Sequence, residues 1–351
     1  MDKQVNLTND QLINLSPRQR AWMRFKNNRR GYYSLWIFVI LFVLSLFAEL
    51  ISNDKPIIIQ FEQQYYFPLL SDYPETTFGG DFVTMTDYND PYIIKKITKD
   101  DNWALYPLNH YSFDSINYFA DSPNPAAPSS QNFLGTDDRG RDVLARLIYG
   151  FRLSVIFALV LTAIGVVIGI IIGGLQGYFA GKIDLVAQRL IEVWSSMPEL
   201  YLLIIFASIF KPSIGLLIIL LSLFGWMGLS DYVRAEFLRG RNLDYVQAAR
   251  SMGVSNINIM FKHLLPNSMV PVLTFLPFRI SGAILALTSL DYLGLGVPPS
   301  TPSLGELLSQ GKENIDAWWL SMTTFSVLVG TLVLLIFIGE ALREALDTRR
   351  G

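Results

Sequence analysis

Residues 153–178 read LSVIFALVLTAIGVVIGIIIGGLQGY, an unbroken run without a single charged side chain. At ~1.5 Å of rise per residue, about 20 residues cross the ~30 Å hydrocarbon core of a bilayer. The run therefore predicts a membrane-spanning helix. Five more spans lie outward from it: about Tyr32–Ile51; a third that begins amphipathic near Asp184 and is fully apolar over Leu200–Phe210; then about Ile214–Leu229, Met269–Leu290 and Trp318–Ile338. Only Lys211-Pro212-Ser213 separates the third from the fourth, a tight turn with proline as breaker. The predicted fold is an all-α polytopic membrane protein of six transmembrane helices. Composition agrees. The 351 residues are 51% hydrophobic and 17% charged, where soluble domains carry about a quarter charged residues. Mean hydropathy is +0.34.

The first span follows a basic stretch (Arg24, Lys26, Arg29, Arg30), as a signal peptide would. Some 30 residues precede it, however, and it exceeds the ~7–15 residues of a signal core with no small-x-small site after it. It is read as a retained helix, residues 32–51. Pro198 is expected to bend the third span. Within the second, Gly165, Gly169, Gly173, Gly177 and Gly181 recur every four residues. Small residues let membrane helices approach closely, so the stripe predicts a packing seam, within the chain or against a partner chain.

Lys and Arg in tails and short loops set the orientation. The tail 1–31 holds seven, including Lys3; the segment 230–268 holds five; the tail 339–351 holds three, including Arg349 and Arg350; and Lys182 follows span two. The opposite face has only Lys211 and Lys312. Both termini are expected in the cytoplasm, with residues 151–338 forming the permeation domain. Residues 52–150 fall outside by alternation. They carry 14 Asp and Glu against 7 Lys and Arg, and 17 of the chain's 46 aromatic residues, among them Tyr65, Tyr66, Phe67, Trp103 and Tyr106. Disordered segments are aromatic-poor, so this reads as a small extracytoplasmic domain of mixed structure, ending in the Pro/Ser-rich linker Ser122–Ser130. The alternative is an irregular loop lying on the membrane surface.

Several functions are unsupported. The chain has no cysteine, hence no thiolate metal site or cysteine nucleophile, and its net charge of −2 does not point to nucleic acid. There are two histidines, His110 and His263, with no H-E-x-x-H or G-x-S-x-G pattern. Gly181-Lys182 is no phosphate loop, because Gln176 stands where a glycine is needed and Ile183 where a hydroxyl would hold magnesium. No enzyme, no cofactor in this chain and no metal site are expected.

The loop 230–268 carries the functional argument. It runs Tyr245-Val246-Gln247-Ala248-Ala249-Arg250-Ser251-Met252-Gly253, then nine residues, then His263-Leu264-Leu265-Pro266-Asn267. This predicts a short helix, a glycine suited to a left-handed C-cap, a second helix capped by Ser255 or Asn256, and a proline stop. The small Ala248–Ala249 pair would let the first helix sit in a shallow groove on another protein, with Arg250 and Arg241 adding polar rim contacts.

The pattern resembles the EAA loop of ATP-binding cassette importers, E-A-A-x3-G-x9-I-x-L-P, with Gln247 in place of the Glu and His263 in place of the Ile. The stretches Leu134–Asp142 with Arg146–Gly150, Tyr292–Ser303 and Gly339–Asp347 are similar to other motifs of the C-type permease of dipeptide, oligopeptide and nickel importers. The long segment 52–130 looks like the branch that imports larger peptides, including microcin C. The resemblance covers roughly residues 130–351. It implies a bacterial inner-membrane permease for peptides or peptide-like compounds that pairs with a second homologous permease. It also implies two ATPase subunits, which bind ATP and Mg, and an extracytoplasmic peptide-binding protein. The coupling residues it implies are Tyr245, Gln247, Ala248, Ala249, Arg250, Gly253, His263, Leu265 and Pro266. An ATP-independent secondary transporter is the alternative; it would show discontinuous helices or paired charges at the midplane.

Arg279 sits near the middle of span five, where charge is costly and usually faces a watery cavity or the bundle interior. It is a candidate pathway residue, together with Glu192. A structural ion pair of Arg279 with Glu192 or Glu199 is the other reading.

Overall fold

A computed structural model describes residues 16–347, apart from 100, 119 and 121. The expectations for residues 1–15 and 348–351, Lys3, Arg349 and Arg350 included, lie outside the described residues.

Helix α1 (Pro17–Asn27) begins with a capping box: the Ser16 hydroxyl accepts from the Gln19 amide, and Gln19 Oε1 accepts from the Ser16 amide. Helix α2 (Arg29–Leu46) and the single turn α3 (Ala48–Ile51) follow. Then come β1 (Ile58–Phe61), β2 (Gln64–Tyr66), α4 (Pro91–Ile97) and β3 (Trp103–Leu105). The long helix α5 (Val143–Phe179) leads into α6 (Gly181–Ser195), α7 (Glu199–Ile209), α8 (Ile214–Ser222), α9 (Met227–Gly240), α10 (Asp244–Ser251) and α11 (Asn256–Asn258). A π-helical turn, Ile259–Leu264, joins α11 to α12 (Leu265–Tyr292); α13 (Leu304–Glu313) and α14 (Trp318–Leu346) complete the chain. Among the described residues, five helical stretches are long and apolar enough to cross a membrane: Arg29–Leu46, Val143–Phe179, Ile214–Gly240, Asn256–Tyr292 and Trp318–Leu346. The pair α6–α7 makes a sixth if counted as one span, and it is bent by 63°. Where sequence suggested a bend at Pro198, the helix breaks instead, and Pro198 becomes the N-cap residue of α7.

The chain divides into two compact units. The first comprises residues 1–39, 156–286 and 330–351. Its organising feature is the glycine stripe of α5, which packs within the chain. A β-carbon at Gly169 would meet Leu229 and the Trp226 carbonyl; at Gly173, the Ser230 carbonyl; at Gly177, the Arg234 carbonyl and Phe237. Four-residue spacing on α5 is thus matched by four-residue spacing of carbonyls along α9, the close approach that small residues permit. Gly181 departs from the seam. Its φ of +57° follows Ala180 at +53°, and a β-carbon there would meet nothing within 4 Å, so it makes the turn into α6. At the other end of this unit, Phe25 of α1 is buried against Ala341 and Ala345 of α14. Asn28 donates to Glu344 at 2.8 Å.

The second unit comprises residues 40–155 and 287–329. Here the sequence between the first two spans folds around an antiparallel sheet of order β2-β1-β3, with Ile59 opposite Tyr66 and Ala104. Glu62 and Gln63, both at positive φ, form the two-residue turn whose twist suits a hairpin. Alternation along β1 turns Ile59 and Phe61 into a core with Phe78, Tyr88, Ile93 and Ile97. Phe78 lies edge-on to Phe61, Tyr66 and Tyr73 at 5.3–6.1 Å. Of the aromatics that argued against disorder, Tyr66 and Tyr106 pack on this core while Tyr65, Phe67 and Trp103 stay exposed; the folded sheet fits the expected domain of mixed structure.

The seam is testable. Gly173→Leu forces a side chain into the Ser230 backbone, and overpacking costs about 1–3 kcal/mol. The detergent-purified variant should show a clearly lowered thermal midpoint, whereas Gly282→Ala, which meets nothing within 4 Å, should not. Equal midpoints would contradict the packing described.

Candidate functional site

Helix α10 has a local logic at both ends. Asp244 stands in its first turn and Arg250 in its last, matching the helix dipole. At the C-terminus the Gly253 amide donates to the Arg250 carbonyl at 3.0 Å and the Val254 amide to the Ala249 carbonyl at 3.1 Å. Gly253 has φ +80°. This is a complete Schellman motif, and the left-handed conformation requires the glycine.

Val246 and Ala249, three residues apart, form the inner face. Both are buried in a cluster with Tyr178, Leu229, Val233, Phe237, Ile259, Leu264 and Val272. Val254 packs on the same cluster. Tyr245, Gln247, Ala248, Arg250 and Met252 remain exposed. The Ala248–Ala249 pair is therefore split: Ala248 faces outward, but Ala249 anchors the helix to its own protein. Arg241 is also reassigned. It is half-buried and donates to the Tyr178 carbonyl at 2.9 Å, a tie within the fold and not a rim contact. Arg250 stacks over the Tyr178 ring at 5.4 Å, and the Tyr178 hydroxyl donates to Asn256 Oδ1 at 2.6 Å. Gln247 donates to the Asn242 carbonyl at 3.2 Å, and the Tyr245 hydroxyl accepts from Asn267 Nδ2 at 3.1 Å.

Ser255 caps α11, as expected. Pro266 is not a stop. The turn before it widens to π geometry, the Leu265 amide reaching back to the Met260 carbonyl, and helix continues through Pro266 into α12. A wider turn relieves the clash between a proline ring and the carbonyl four residues earlier. His263 is half-buried in that turn, with its carbonyl accepting from Asn267 Nδ2, and Leu265 packs on the cluster below. Sequence reasoning missed the exposed apolar residues flanking α10: Leu243, Met252, Ile257 and Phe261. Met252 is 76% exposed. Their signal was large apolar side chains in an otherwise polar loop.

Arg279 of α12 donates from Nη2 to the Gly225 carbonyl, beside Gly165 at the start of the seam. Its Nε is buried without a partner. The ion-pair alternative is not realised, since no described carboxylate lies within 4.0 Å of it. Glu192 pairs instead with Arg189 at 2.5 Å, both exposed, and Asp184 pairs with Arg234 at 2.5 Å. Arg279 and Glu192 are thus not brought together as a pair.

The stretches that read as motifs at 134–150 and 292–303 converge in the second unit. Asp137, wholly buried, accepts from the Arg139 and Arg141 amides at 3.0 and 2.9 Å and pairs with the Arg141 guanidinium at 2.5 Å. Arg141 also donates to the Pro299 carbonyl at 2.8 Å and to Glu306 at 3.2 Å. Arg146, wholly buried, donates to Glu306 and to the Phe113 and Thr301 carbonyls. Asp291 accepts from the Val297 amide at 2.8 Å and the Ser303 hydroxyl at 2.5 Å, while Ser303 caps α13. Buried charges persist only when paired and hydrogen-bonded. Asp142 accepts from Asn109, Asn132 and the Ala145 amide at 2.7–2.8 Å; burial nevertheless pushes its carboxyl above the usual range. These motifs together tie the loops of the second unit through buried charge pairs.

Five or six apolar helical spans and a short amphipathic helix seated on α9 and α12 describe a multi-pass membrane protein. Comparison with known proteins agrees. Residues 165–351 match the family described as the binding-protein-dependent transport system inner membrane component, and residues 16–74 match the N-terminal TM domain of oligopeptide transport permease C. The chain belongs to this family of transport permeases. It is 51% identical to the inner membrane ABC transporter permease protein YejE of Escherichia coli K12, over 96% of this chain and 99% of that protein. It is 48% identical to the peptidoglycan transport system permease protein YejE of Agrobacterium fabrum, over 95% and 93%. Identity to the oligopeptide transport system permease protein OppC of Haemophilus influenzae is 36%, over 64% of this chain and 73% of that one.

Proposed function

We propose that this permease carries peptides or peptide-like compounds inward across the bacterial inner membrane. It does so as one of two homologous permease chains, driven by separate ATPase subunits. The carrying observation is α10: a helix anchored by Val246 and Ala249 that presents Tyr245, Gln247, Ala248 and Met252 outward. Its Schellman end and buried face make it a rigid lever, and its outer face is small at Ala248, with Tyr245 and Met252 among the polar Asp244, Gln247, Arg250 and Ser251. That surface suits docking in a groove of an ATPase subunit. Peptide as substrate is supported by the oligopeptide and peptidoglycan systems in which relatives work.

In this reading ATP and Mg are bound by the ATPases. Their closure moves α10, and the packed cluster carries the movement to α9 and α12. The pathway then opens alternately to either side. Residues 1–31, 230–268 and 339–351 lie in the cytoplasm. Residues 52–150 lie outside, where an extracytoplasmic binding protein delivers substrate. The uncompensated Arg279 lines the pathway and meets anionic groups such as a peptide carboxylate; Glu192 lies toward the same route.

Affinity purification from native membranes in mild detergent tests the coupling. The wild-type chain should bring down two ATPase subunits and a second permease. Ala248→Glu should lose the ATPases and keep the permease. A chain that emerges alone, or ATPases indifferent to the substitution, would favour an ATP-independent transporter. For the pathway, Arg279→Gln should lower uptake of peptides with a free carboxylate at least several-fold relative to their amides. Unchanged uptake and selectivity would remove Arg279 from the route.

A further inference from the structure

Helix α1 is separate from the first span. Asn28 leaves helical geometry at φ −79° and ψ 89°, and its Oδ1 accepts from the Gly31 amide at 3.1 Å, so α2 starts on a cap of its own. Helix α1 is nevertheless tied to the end of a span. Phe25 is buried on Ala341 and Ala345 of α14, a β-carbon at Gly31 would collide with Ala341, and Arg24 donates to the Asp347 carbonyl at 3.1 Å. The apolar run of α14 ends at Ile338, and Glu340, Arg343 and Glu344 follow. Helix α1 is thus held at the level where hydrocarbon gives way to headgroups.

The exposed face of α1 suits that level. Residues 16–30 contain no Asp or Glu but carry Arg18, Arg20, Arg24, Lys26, Arg29 and Arg30. Arg18, Trp22 and Lys26 recur every four residues and so share one face. All three are exposed, and the Trp22 ring, 52% exposed, stacks on the buried Phe25 ring at 5.8 Å and 19°. The indole is braced from below, with a cation one turn to either side. Arg20 is exposed as well. Among the described residues, no carboxylate lies within 4.0 Å of Arg18, Arg20 or Lys26. The nearby Glu344 takes the Asn28 amide group at 2.8 Å instead.

We propose that α1 lies in the headgroup layer of the bilayer and binds phospholipids of net negative charge. Trp22 inserts at the interface, while Arg18, Arg20 and Lys26 engage the phosphate groups. Charge complementarity and position select lipid as the occupant. Tryptophan favours the headgroup level, cations there attract anionic lipid, and a guanidinium fork matches phosphate oxygens. A cationic helix with an aromatic on one face, one residue from the start of a span, has the make-up of an interfacial helix. Bound lipid then holds α1 on α14 and sets the depth of the first span. The inference is independent of what the chain carries and of how ATPases dock.

The test uses the full chain with Asn27→Cys, labelled with bimane, in phosphatidylcholine nanodiscs. Each set holds the same small fraction of a lipid with a nitroxide high on its acyl chain, phosphatidylglycerol in one and phosphatidylcholine in the other. A cation at an anionic surface is worth about fivefold in partition, so quenching by the phosphatidylglycerol should be at least about twofold the stronger. High salt and the triple variant Arg18→Gln, Arg20→Gln, Lys26→Gln should each reduce that preference. The two lipids are compared on one protein, so that result stands even where the substitutions disturb folding. Equal quenching by both lipids, or by neither, overturns the proposal. So does a preference that survives in the triple variant, or a triple variant that keeps the preference but loses a co-purifying subunit, which would make this face a protein contact. Trp22→Ser should lower quenching by both lipids; unchanged quenching overturns the insertion of Trp22.

Discussion

Four missing side chains hold the first unit together. At Gly165, Gly169, Gly173 and Gly177, α5 meets the backbone carbonyls of residues 225, 226, 230 and 234 so closely that a methyl group would need the neighbour to move. In hydrocarbon there is no hydrophobic drive between helices, and association depends on close packing and polar ties. The seam supplies the packing. It fixes α9, whose residues Leu229, Val233 and Phe237 belong to the cluster on which Val246 and Ala249 of α10 sit. Arg279 enters at the head of the same seam and spends its one described hydrogen bond on the Gly225 carbonyl. Helix α10 is thus only as rigid as the glycine contact beneath it.

The second unit solves a different problem, that of an irregular chain with little regular structure to satisfy its polar groups. Arg141 and Arg146, held by the carboxylates of Asp137 and Glu306, do that work by donating to the loop carbonyls of Phe113, Pro299 and Thr301. Removing one partner of such a cluster strands a buried charge, which commonly costs about 3–5 kcal/mol.

Much of this was legible in the sequence because its signals were local. Uncharged runs located the spans, the four-residue glycine period located the seam, and the spacing from Gln247 to Pro266 located the short helix α10 and its glycine cap. What escaped depends on tertiary direction. Adjacent alanines look alike in sequence, yet one helical step turns Ala249 inward and leaves Ala248 outward. Pro266 has the chemistry of a stop, but a π turn before it lets the helix run on. The sheet was hidden for another reason: its strands are three or four residues long, and the turn at Glu62-Gln63 lacks the glycine or asparagine that usually announces a hairpin. Arg279 was expected to have either a carboxylate or a pathway, and only the structure could show which carboxylates were already engaged.

The chain contains no cysteine, so single cysteines introduced along α10 report its surroundings without background. The most direct measurement is thiol cross-linking of Ala248→Cys and Val246→Cys in native membranes, with and without ATP. The account predicts a covalent adduct between position 248 and an ATPase subunit whose yield changes with ATP, and none from the buried position 246. Equal labelling of both positions, or an adduct at neither, would contradict the claim that α10 is the contact through which ATP moves this permease.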